Sequence, residues 1–309
     1  MISNYICLDI GGTSIKSAII NSKSYMIKST YQKTYIDSNK HKEYIIKKFI
    51  QPIKKNINYL SRNNKKLSGI SIAIGGPFDY NKGISYIKNV DKYDSIYGIN
   101  VKKMIQKELQ IPKELPFIFD IDSWCFGRGE AKYEQNNKYK RIIVLTMGTG
   151  VGSSFLVNKK IVSNGKGVPY LGWISGKKYK KSILNDYISS TYMSEKYFLA
   201  TNKKINIKTM AELAKKGDPI AKSIFSEVGL TLGSYLSKNF VRNFKAECIL
   251  FGGQISLSGD LFINEIKKSL KNIGVLKKIK IAENIETSAL YGASYLLQEK
   301  LKEGEYENK

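Results

Sequence analysis

The residues of this chain that could do chemistry stand where apolar runs end and glycines begin. Asp9 follows the apolar run 5–8 and opens the segment 9–16, DIGGTSIK. The apolar residues on both sides predict two strands, and the glycines permit a tight turn that can approach a phosphate closely. Backbone N–H groups and the Thr13 hydroxyl can face an anion, and we expect Asp9 to hold a magnesium ion through water, because hard cations prefer oxygen ligands. The segment predicts a phosphate-binding hairpin.

Two further glycine clusters also follow apolar runs. Residues 142–146 (IIVLT) lead into 147–152 (MGTGVG), and residues 248–251 (CILF) lead into a glycine pair. Three turns of this kind in one chain indicate one nucleotide site assembled from separate segments. The residues that we expect to bind the nucleotide are Asp9, Gly11, Gly12, Thr13, Lys16, Gly148, Thr149, Gly150, Gly252 and Gly253.

Length and composition fit an enzyme of ordinary size. The 309 residues favour two domains, and 42% apolar residues are enough for a core. The longest charge-free stretch, 142–158, is shorter than the roughly 20 apolar residues that a membrane-spanning helix needs. No segment has the pattern of a signal peptide, so we expect a cytoplasmic protein without a membrane partner.

The three cysteines carry no pattern of a disulfide framework or of a zinc site. Cys7, Cys125 and Cys248 are far apart, and each lies among apolar residues. We therefore expect buried, reduced thiols, because a free cysteine usually behaves as a small hydrophobe.

The formal net charge of +25 raises the possibility of a nucleic-acid partner. The lysines are spread along the whole chain instead of forming a stripe, and no helix-turn-helix or aromatic RNA-binding motif accompanies them. The charge is interpreted as a solvated basic surface, and no nucleic-acid partner is expected.

Apolar periodicity predicts alternating strands and helices. Asp218 is a predicted N-cap, with Pro219 at the first helical position. The predicted elements are hairpin strands over 5–36, a helix over 42–58, a buried strand over 67–74, a strand over 86–90, a helix over 101–109, a strand over 116–120, a long helix over 219–244, a strand over 248–251, a helix over 287–302 and a charged tail over 303–309.

These motifs resemble the ROK family of sugar kinases, within the actin-like ATPase superfamily. The resemblance covers nearly the whole chain and rests on residues 9–16, 75–77 with Gly83, Asp120, 145–152, 217–225, 249–255 and 290–293. It implies an α/β fold of two actin-like (ribonuclease H-like) domains with an interdomain cleft that takes ATP and sugar. The small domain would span 1–118, with the helix 287–302 packing back on it, and the large domain 119–286. A homodimer is also implied.

The chemistry implied is phosphoryl transfer from ATP with Mg²⁺, in which one base accepts the proton of a sugar hydroxyl. Asp120 is the candidate base, because it ends an apolar strand and should project at the mouth of the cleft instead of lying in the core. Asp122 and Phe119 stand where the family motif has asparagines. The resemblance assigns the sugar to Gly76, Pro77, Asn89, Asp120 and Tyr170.

The sequence departs from the family at the zinc and sugar positions. Tyr170 replaces a sugar-binding glutamate and Trp173 replaces a zinc-binding histidine, while the cysteine-rich segment shrinks to 175–186, where Asn185 falls near a second glutamate. The chain's single histidine, His41, precedes a predicted helix and is expected at the surface. We expect no bound zinc.

Two explanations of these departures compete: a pocket rebuilt for a particular sugar, or a degenerate kinase that binds without catalysis. The first is favoured because the nucleotide motifs and Asp120 remain. Zinc-less family members with an aromatic pocket occur among the N-acetylmannosamine kinases of sialic-acid catabolism in low-GC Gram-positive bacteria, and this chain resembles them. The resemblance implies phosphorylation of N-acetylmannosamine, at its 6-hydroxyl.

The alternatives are a glucokinase or other hexose kinase and, in another class, a non-catalytic sugar-binding regulator of the same family. Whether Tyr170 and Trp173 contact sugar or fill the space of the missing zinc site stays open at this point.

Overall fold

The computed structural model describes residues 2–90 and 92–304. The strands are β1 (Asn4–Ile10), β2 (Ser14–Asn21), β3 (Gln32–Tyr35), β4 (Leu67–Ile74), β5 (Phe78–Asp79), β6 (Ile84–Ser85), β7 (Phe117–Ile121), β8 (Arg141–Met147), β9 (Val151–Val157), β10 (Lys160–Val162), β11 (Lys178–Tyr179), β12 (Ser182–Ile183), β13 (Cys248–Gly252) and β14 (Lys278–Ile281). The α-helices are α1 (Lys42–Arg62), α2 (Val101–Glu108), α3 (Asp122–Lys132), α4 (Ser190–Thr201), α5 (Ile207–Lys215), α6 (Pro219–Leu236), α7 (Arg242–Phe244), α8 (Ile263–Leu270) and α9 (Ser288–Lys302).

The chain divides into two compact units. The first comprises 1–129 and 286–309 and the second 130–285. The domain bounds expected from the sequence differ, since they assign 119–129 and Glu286 to the second domain. None of the described helices combines the length and apolarity needed to cross a bilayer.

The first unit is built on a five-stranded sheet of order β3-β2-β1-β4-β7. The strands β1, β2 and β3 pair antiparallel, whereas β4 and β7 run parallel to β1. Alternate residues of β1 point to opposite faces of the sheet. Ile6, Leu8 and Ile10 share a hydrophobic cluster with Phe49 and other residues of α1, so α1 covers one face.

The helix α9 packs on β1, β4 and β2. Small residues on its face of the sheet allow a close approach. A Cβ at Gly69 of β4 would lie 2.8 Å from Leu297 Cδ2, and one at Gly292 of α9 would lie 1.7 Å from the carbonyl oxygen of Cys125 in α3. Neither glycine has room for a side chain, so α9 packs closely against β4 at Gly69 and against α3 at Gly292.

The second unit repeats the same layout. Its sheet has the order β10-β9-β8-β13-β14, in which β8, β9 and β10 pair antiparallel and β13 and β14 run parallel to β8. The helix α6 packs against α4, α5 and α8. Asp218 caps α6, since its side chain accepts a hydrogen bond from the Ala221 N–H. The sequence predicts this cap correctly.

The predicted strand over 86–90 is wrong. Tyr86 and Val90 are exposed, and Asn89 adopts a left-handed backbone with φ of 58°. The strand in this region is instead β6, which pairs antiparallel with β5 and ends at Ser85, before the predicted strand begins. The predicted helix over 219–244 is interrupted, because a π-helical turn, Ser237–Val241, separates α6 from α7. Residues 305–309 of the predicted tail lie outside the described part.

All three cysteines are free and buried, as predicted. Burial raises the pKa of the Cys248 thiol to about 12 and raises the pKa of Cys7 further above its usual range. His41 is the N-cap of α1, where its ring accepts a hydrogen bond from the Tyr44 N–H, and its side chain is 71% exposed.

Candidate functional site

In the first unit the predicted acidic residues fall into one row across the sheet. Lys33 of β3 pairs with Lys16 of β2, Lys16 pairs with Asp9 of β1, Asp9 pairs with Ala73 of β4, and Ala73 pairs with Asp120 of β7. Paired residues of neighbouring strands point to the same face of a sheet. Neighbouring strands are about 4.8 Å apart, so the Asp9 and Asp120 backbones are separated by about 10 Å.

Asp9 is a largely buried carboxylate near the carboxyl end of β1. Its side chain is 18% exposed, and Oδ2 lies 3.4 Å from Lys16 Nζ. Burial raises the pKa of Asp9, the Lys16 ammonium opposes that rise, and the negative charges of Asp122 and Glu286 add to it. An oxygen donor this close to the surface and beside a glycine turn suits a hard cation held through water.

Lys16 also contacts Glu286, which lies two residues before the start of α9. Glu286 Oε2 lies 3.5 Å from Lys16 Nζ and 3.1 Å from Lys33 Nζ. Burial raises the pKa of Glu286, but the two lysines outweigh this and bring it below its usual value. Glu286 therefore holds both lysines of the row beside Asp9.

The glycine turn between β1 and β2 is held by a hydrogen bond from a side chain outside the two strands. The Gly11 N–H donates to the Ser14 carbonyl at 3.0 Å, and the Tyr93 hydroxyl donates to the Gly11 carbonyl at 2.6 Å. Tyr93 is buried, and its ring packs edge-on against Phe49. Thr13 is exposed at the tip. The turn is thus fixed while Thr13 stays open to solvent.

Asp120 is more buried than the sequence predicts. The residue is 7% exposed, and its Oδ2 accepts a hydrogen bond of 2.9 Å from Arg128 Nη1. Cys125 Sγ lies 3.8 Å from the same oxygen. The expectation that Asp120 projects at a mouth instead of lying in the core is corrected accordingly, because α3 covers one side of the carboxylate.

The other residues expected to bind sugar in this unit lie at two places. Gly76 and Pro77 are exposed just after β4, and the neighbouring Gly75 lies beside Asp122, whose Oδ2 would be 3.2 Å from a Cβ there. Asn89 lies in the exposed loop after β6, where its N–H donates to Asp94 Oδ2 at 3.0 Å.

In the second unit the two remaining glycine turns meet. The turn Gly148–Gly150 joins β8 to β9, with the Gly148 N–H donating to the Gly150 carbonyl at 2.9 Å. Gly253 follows β13 with φ of 82°, and a Cβ there would lie 2.4 Å from the Met147 carbonyl oxygen. Thr149 and Gly150 are exposed. Gly252, the end of β13, pairs with Thr146.

Asn185 has a contact that the sequence does not reveal. Its Oδ1 accepts a hydrogen bond of 3.0 Å from the Val151 N–H, and the next helix contributes the Ser190 N–H, which donates to the Gly148 carbonyl at 3.0 Å. The segment aligned with the family's second glutamate is therefore bonded to the glycine turn at Gly148–Gly150.

Tyr170 and Trp173 are surface residues in this chain. Their exposed fractions are 70% and 57%, and the Trp173 ring lies against Gly176. A side chain that fills an internal space is buried, so the exposure of both rings argues against that role. Among residues 2–90 and 92–304, no group of three or more His, Cys, Asp or Glu side chains is arranged to hold a metal. The absence of zinc stays a prediction.

The sequence misses Arg128, Glu286 and Ala73 as members of the site. Glu286 lies far from Lys16 and Lys33 along the chain, whereas Arg128 lies eight residues after Asp120, and no local motif marks either residue. Ala73 lies in a strand that the sequence predicts, but its position beside Asp9 depends on the pairing of β4 with β1, which the sequence does not show.

The profile of the ROK family matches residues 5–300. The chain belongs to the ROK family. It is 22% identical to an N-acetyl-D-glucosamine kinase of Haemophilus influenzae over 94% of this chain and 98% of that protein. The fold is that of the family's solved structures, of the actin-like ATPase type.

Two solved structures illustrate the likeness. A ROK family glucokinase from Streptomyces griseus, in complex with glucose and AMPPNP, has a TM-score of 0.74 and 18% identity, covering 95% of this chain and 99% of that one. A Listeria monocytogenes protein described as a candidate N-acetylmannosamine kinase has a TM-score of 0.70 and 19% identity, covering 96% and 99%.

Proposed function

We propose that this ROK sugar kinase transfers the γ-phosphoryl group of ATP to the 6-hydroxyl of N-acetylmannosamine. The observation that carries the proposal is the sheet row in which Asp9 and Asp120 face the same side with the small Ala73 between them. A phosphoryl donor at Asp9 and an acceptor hydroxyl at Asp120 would then lie on the same face of the sheet, two strands apart. Such positioning supplies most of the rate in phosphoryl transfer.

The glycine turns would bind the nucleotide. The backbone around Gly11 and Gly12 and the Thr13 hydroxyl would bind phosphate, and Gly148, Thr149, Gly150, Gly252 and Gly253 would bind the rest of the nucleotide. Lys16 lies 3.4 Å from Asp9 and would add a positive charge near the phosphates. A magnesium ion held by Asp9 through water would neutralise phosphate charge.

Asp120 would accept the proton of the attacking hydroxyl. Both of its described side-chain contacts use Oδ2, so Oδ1 is available to the sugar. Gly76, Pro77 and Asn89 would contact other sugar atoms.

The choice of N-acetylmannosamine rests on the aromatic replacement and on relatives. Tyr170 and Trp173 present apolar rings at the surface of the second unit, and an acetyl methyl group can pack on such rings. A relative named for an N-acetylated hexosamine and a structure described as a candidate N-acetylmannosamine kinase support the same class of substrate. The homodimer remains a proposal from family resemblance.

A coupled assay of ADP release with a sugar panel tests the proposal. We expect N-acetylmannosamine to be phosphorylated far better than glucose or mannose. A preference for glucose would replace the substrate assignment by the glucokinase alternative. Sugar binding without ADP release, measured by calorimetry, would make the protein a non-catalytic sugar-binding regulator.

The aromatic residues are tested by Tyr170→Ala. A well-buried apolar group contributes about 1–3 kcal/mol to discrimination, or roughly 10–200-fold. The variant should lose more kcat/KM on N-acetylmannosamine than on mannose, which lacks the acetyl group. The matched control is Tyr25→Ala, since Tyr25 is also 70% exposed and lies in the first unit near the start of the chain. Equal losses on both sugars would contradict acetyl recognition.

A further inference from the structure

Arg128 is a buried cation whose described contact is the proposed base. The residue is 7% exposed, and its Nη1 donates to Asp120 Oδ2 at 2.9 Å. We propose that Arg128 is a positioning residue that holds the Asp120 carboxylate in one orientation, with Oδ1 left for the acceptor hydroxyl. This inference rests on the proposed function of Asp120.

One face of α3 supplies both contacts to Asp120. Cys125 and Arg128 are three residues apart and so lie on the same side of the helix. Cys125 Sγ is 3.8 Å from Asp120 Oδ2, and burial followed by the charge of Asp120 raises the pKa of this thiol well above its usual value. The thiol is therefore neutral, and Arg128 supplies the charge at this oxygen.

The attachment of α3 to its surroundings does not depend on this ion pair. The helix is already fixed by close backbone contacts to α9, since a Cβ at Gly129 would lie 2.0 Å from the Ser288 carbonyl oxygen and one at Gly292 would lie 1.7 Å from the Cys125 carbonyl oxygen. Buried ion pairs contribute little net stability compared with apolar replacements. A role in holding the carboxylate explains the pair better than a role in holding the helix.

The orientation matters because a carboxylate has two oxygens and rotates about χ2. A guanidinium fixed on one oxygen stops that rotation and leaves the other oxygen in a constant place. Misplacing a reacting group by about 1 Å can cost roughly 100-fold in rate. A base in phosphoryl transfer needs little strength, because the transition state is loose and positioning dominates.

The test compares Arg128→Met, Arg128→Lys and Arg128→Ala by steady-state kinetics with N-acetylmannosamine and ATP. We expect kcat to fall about 10- to 100-fold in the Met variant, less in the Lys variant, with both KM values within about threefold of wild type. Added guanidinium should restore part of kcat in Arg128→Ala, whereas equal urea should not. The control is Arg141→Met, a half-buried arginine of the second unit that stacks on Phe244.

A double variant separates positioning from folding. In an Asp120→Asn background the further change Arg128→Met should cause no additional loss of kcat, since the group being positioned is already gone. Arg128→Lys keeps the charge and guards against failure of the Met variant to fold. A folded Met or Ala variant with kcat within twofold of wild type, or losses that add in the double variant, would overturn the inference. Wild-type protein that phosphorylates no sugar would instead overturn the proposed function, and this inference with it.

Discussion

Asp9 and Asp120 lie in one row of the five-stranded sheet, separated by the single residue Ala73. Three facts produce this arrangement: both aspartates follow apolar runs, β1, β4 and β7 run parallel, and the residue between them is small. Because paired residues of neighbouring strands point to the same face, the two carboxylates lie on one face of the sheet, on either side of the buried Ala73.

Enlarging Ala73 should therefore disturb the packing between the two carboxylates and change their positions. We predict that Ala73→Val lowers kcat about 10- to 100-fold, because a misplacement of about 1 Å between donor and acceptor has an effect of this size. Overpacking should cost about 1–3 kcal/mol of stability. Kinetics and urea unfolding measure the two effects separately.

The control is Ala18→Val, which adds the same carbons on the same face of the sheet. Ala18 is buried and pairs with Cys7, two residues from Asp9 along β1. Comparable loss of stability with retained kcat is expected there. If both variants lose kcat in proportion to stability, the packing at Ala73 has no specific role in catalysis.

Asp120→Asn should abolish most sugar phosphorylation. The amide keeps the shape of the side chain but cannot accept the hydroxyl proton, and losing a general base typically costs about 10²–10⁴ in rate. Nucleotide affinity, measured by calorimetry with a non-hydrolysable ATP analogue, should change little, because the phosphate contacts lie elsewhere. Turnover above half of the wild-type value would refute the role of Asp120.

Tyr93→Phe should weaken ATP binding while leaving sugar binding intact. The change removes the O–H that donates to the Gly11 carbonyl at 2.6 Å and keeps the ring contact with Phe49. A loss of roughly 1 kcal/mol of turn preorganisation corresponds to about a fivefold higher Kd for ATP. Tyr59→Phe is the control, since the Tyr59 hydroxyl accepts a hydrogen bond from Ser29 at the surface. Unchanged ATP affinity would show that the turn does not need the bond.

Local sequence predicts the parts of this fold that depend on local physics. The strand over 67–74 and the capped start of α6 are as predicted, because apolar runs, N-cap residues and glycines act over a few residues. The helix α4 and the strand β14 were not predicted. The apolar residues of α4 are not concentrated on one side, and β14 alternates lysine and isoleucine over four residues.

The site shows the same division. Asp9 and the glycine turns could be predicted from sequence, because they form a contiguous motif. Glu286 reaches Lys16 across most of the chain. Arg128 lies only eight residues after Asp120, but their contact depends on the direction in which α3 leaves the end of β7. Such pairings depend on strand order and helix packing, which no local pattern encodes.

Glu247 gives a stability test remote from the proposed chemistry. Its Oε2 accepts hydrogen bonds from the Lys140 and Arg141 N–H groups, and its Oε1 accepts from Lys277 Nζ at 2.7 Å. The Lys277 bond lowers the pKa of Glu247 most, burial opposes this, and the backbone N–H groups add to the lowering. The carboxylate thus joins the starts of β8, β13 and β14.

The folded-state pKa of Glu247 is lower than the unfolded value of about 4.3, so its contribution is fully present above that pH and is lost as pH falls through the folded value. Glu247→Gln should therefore lower the free energy of unfolding by about 1–2 kcal/mol at neutral pH, with the difference from wild type shrinking below about pH 4. Urea unfolding followed by Trp173 fluorescence in a Trp124→Phe background reports on the second unit, since these are the two tryptophans of the chain. The exposed Glu212 of the second unit provides the control Glu212→Gln, which should change stability little at any pH. A Glu247→Gln deficit that stays constant down to the acid limit of the fold would mean that packing, and not the charge of Glu247, joins these strands.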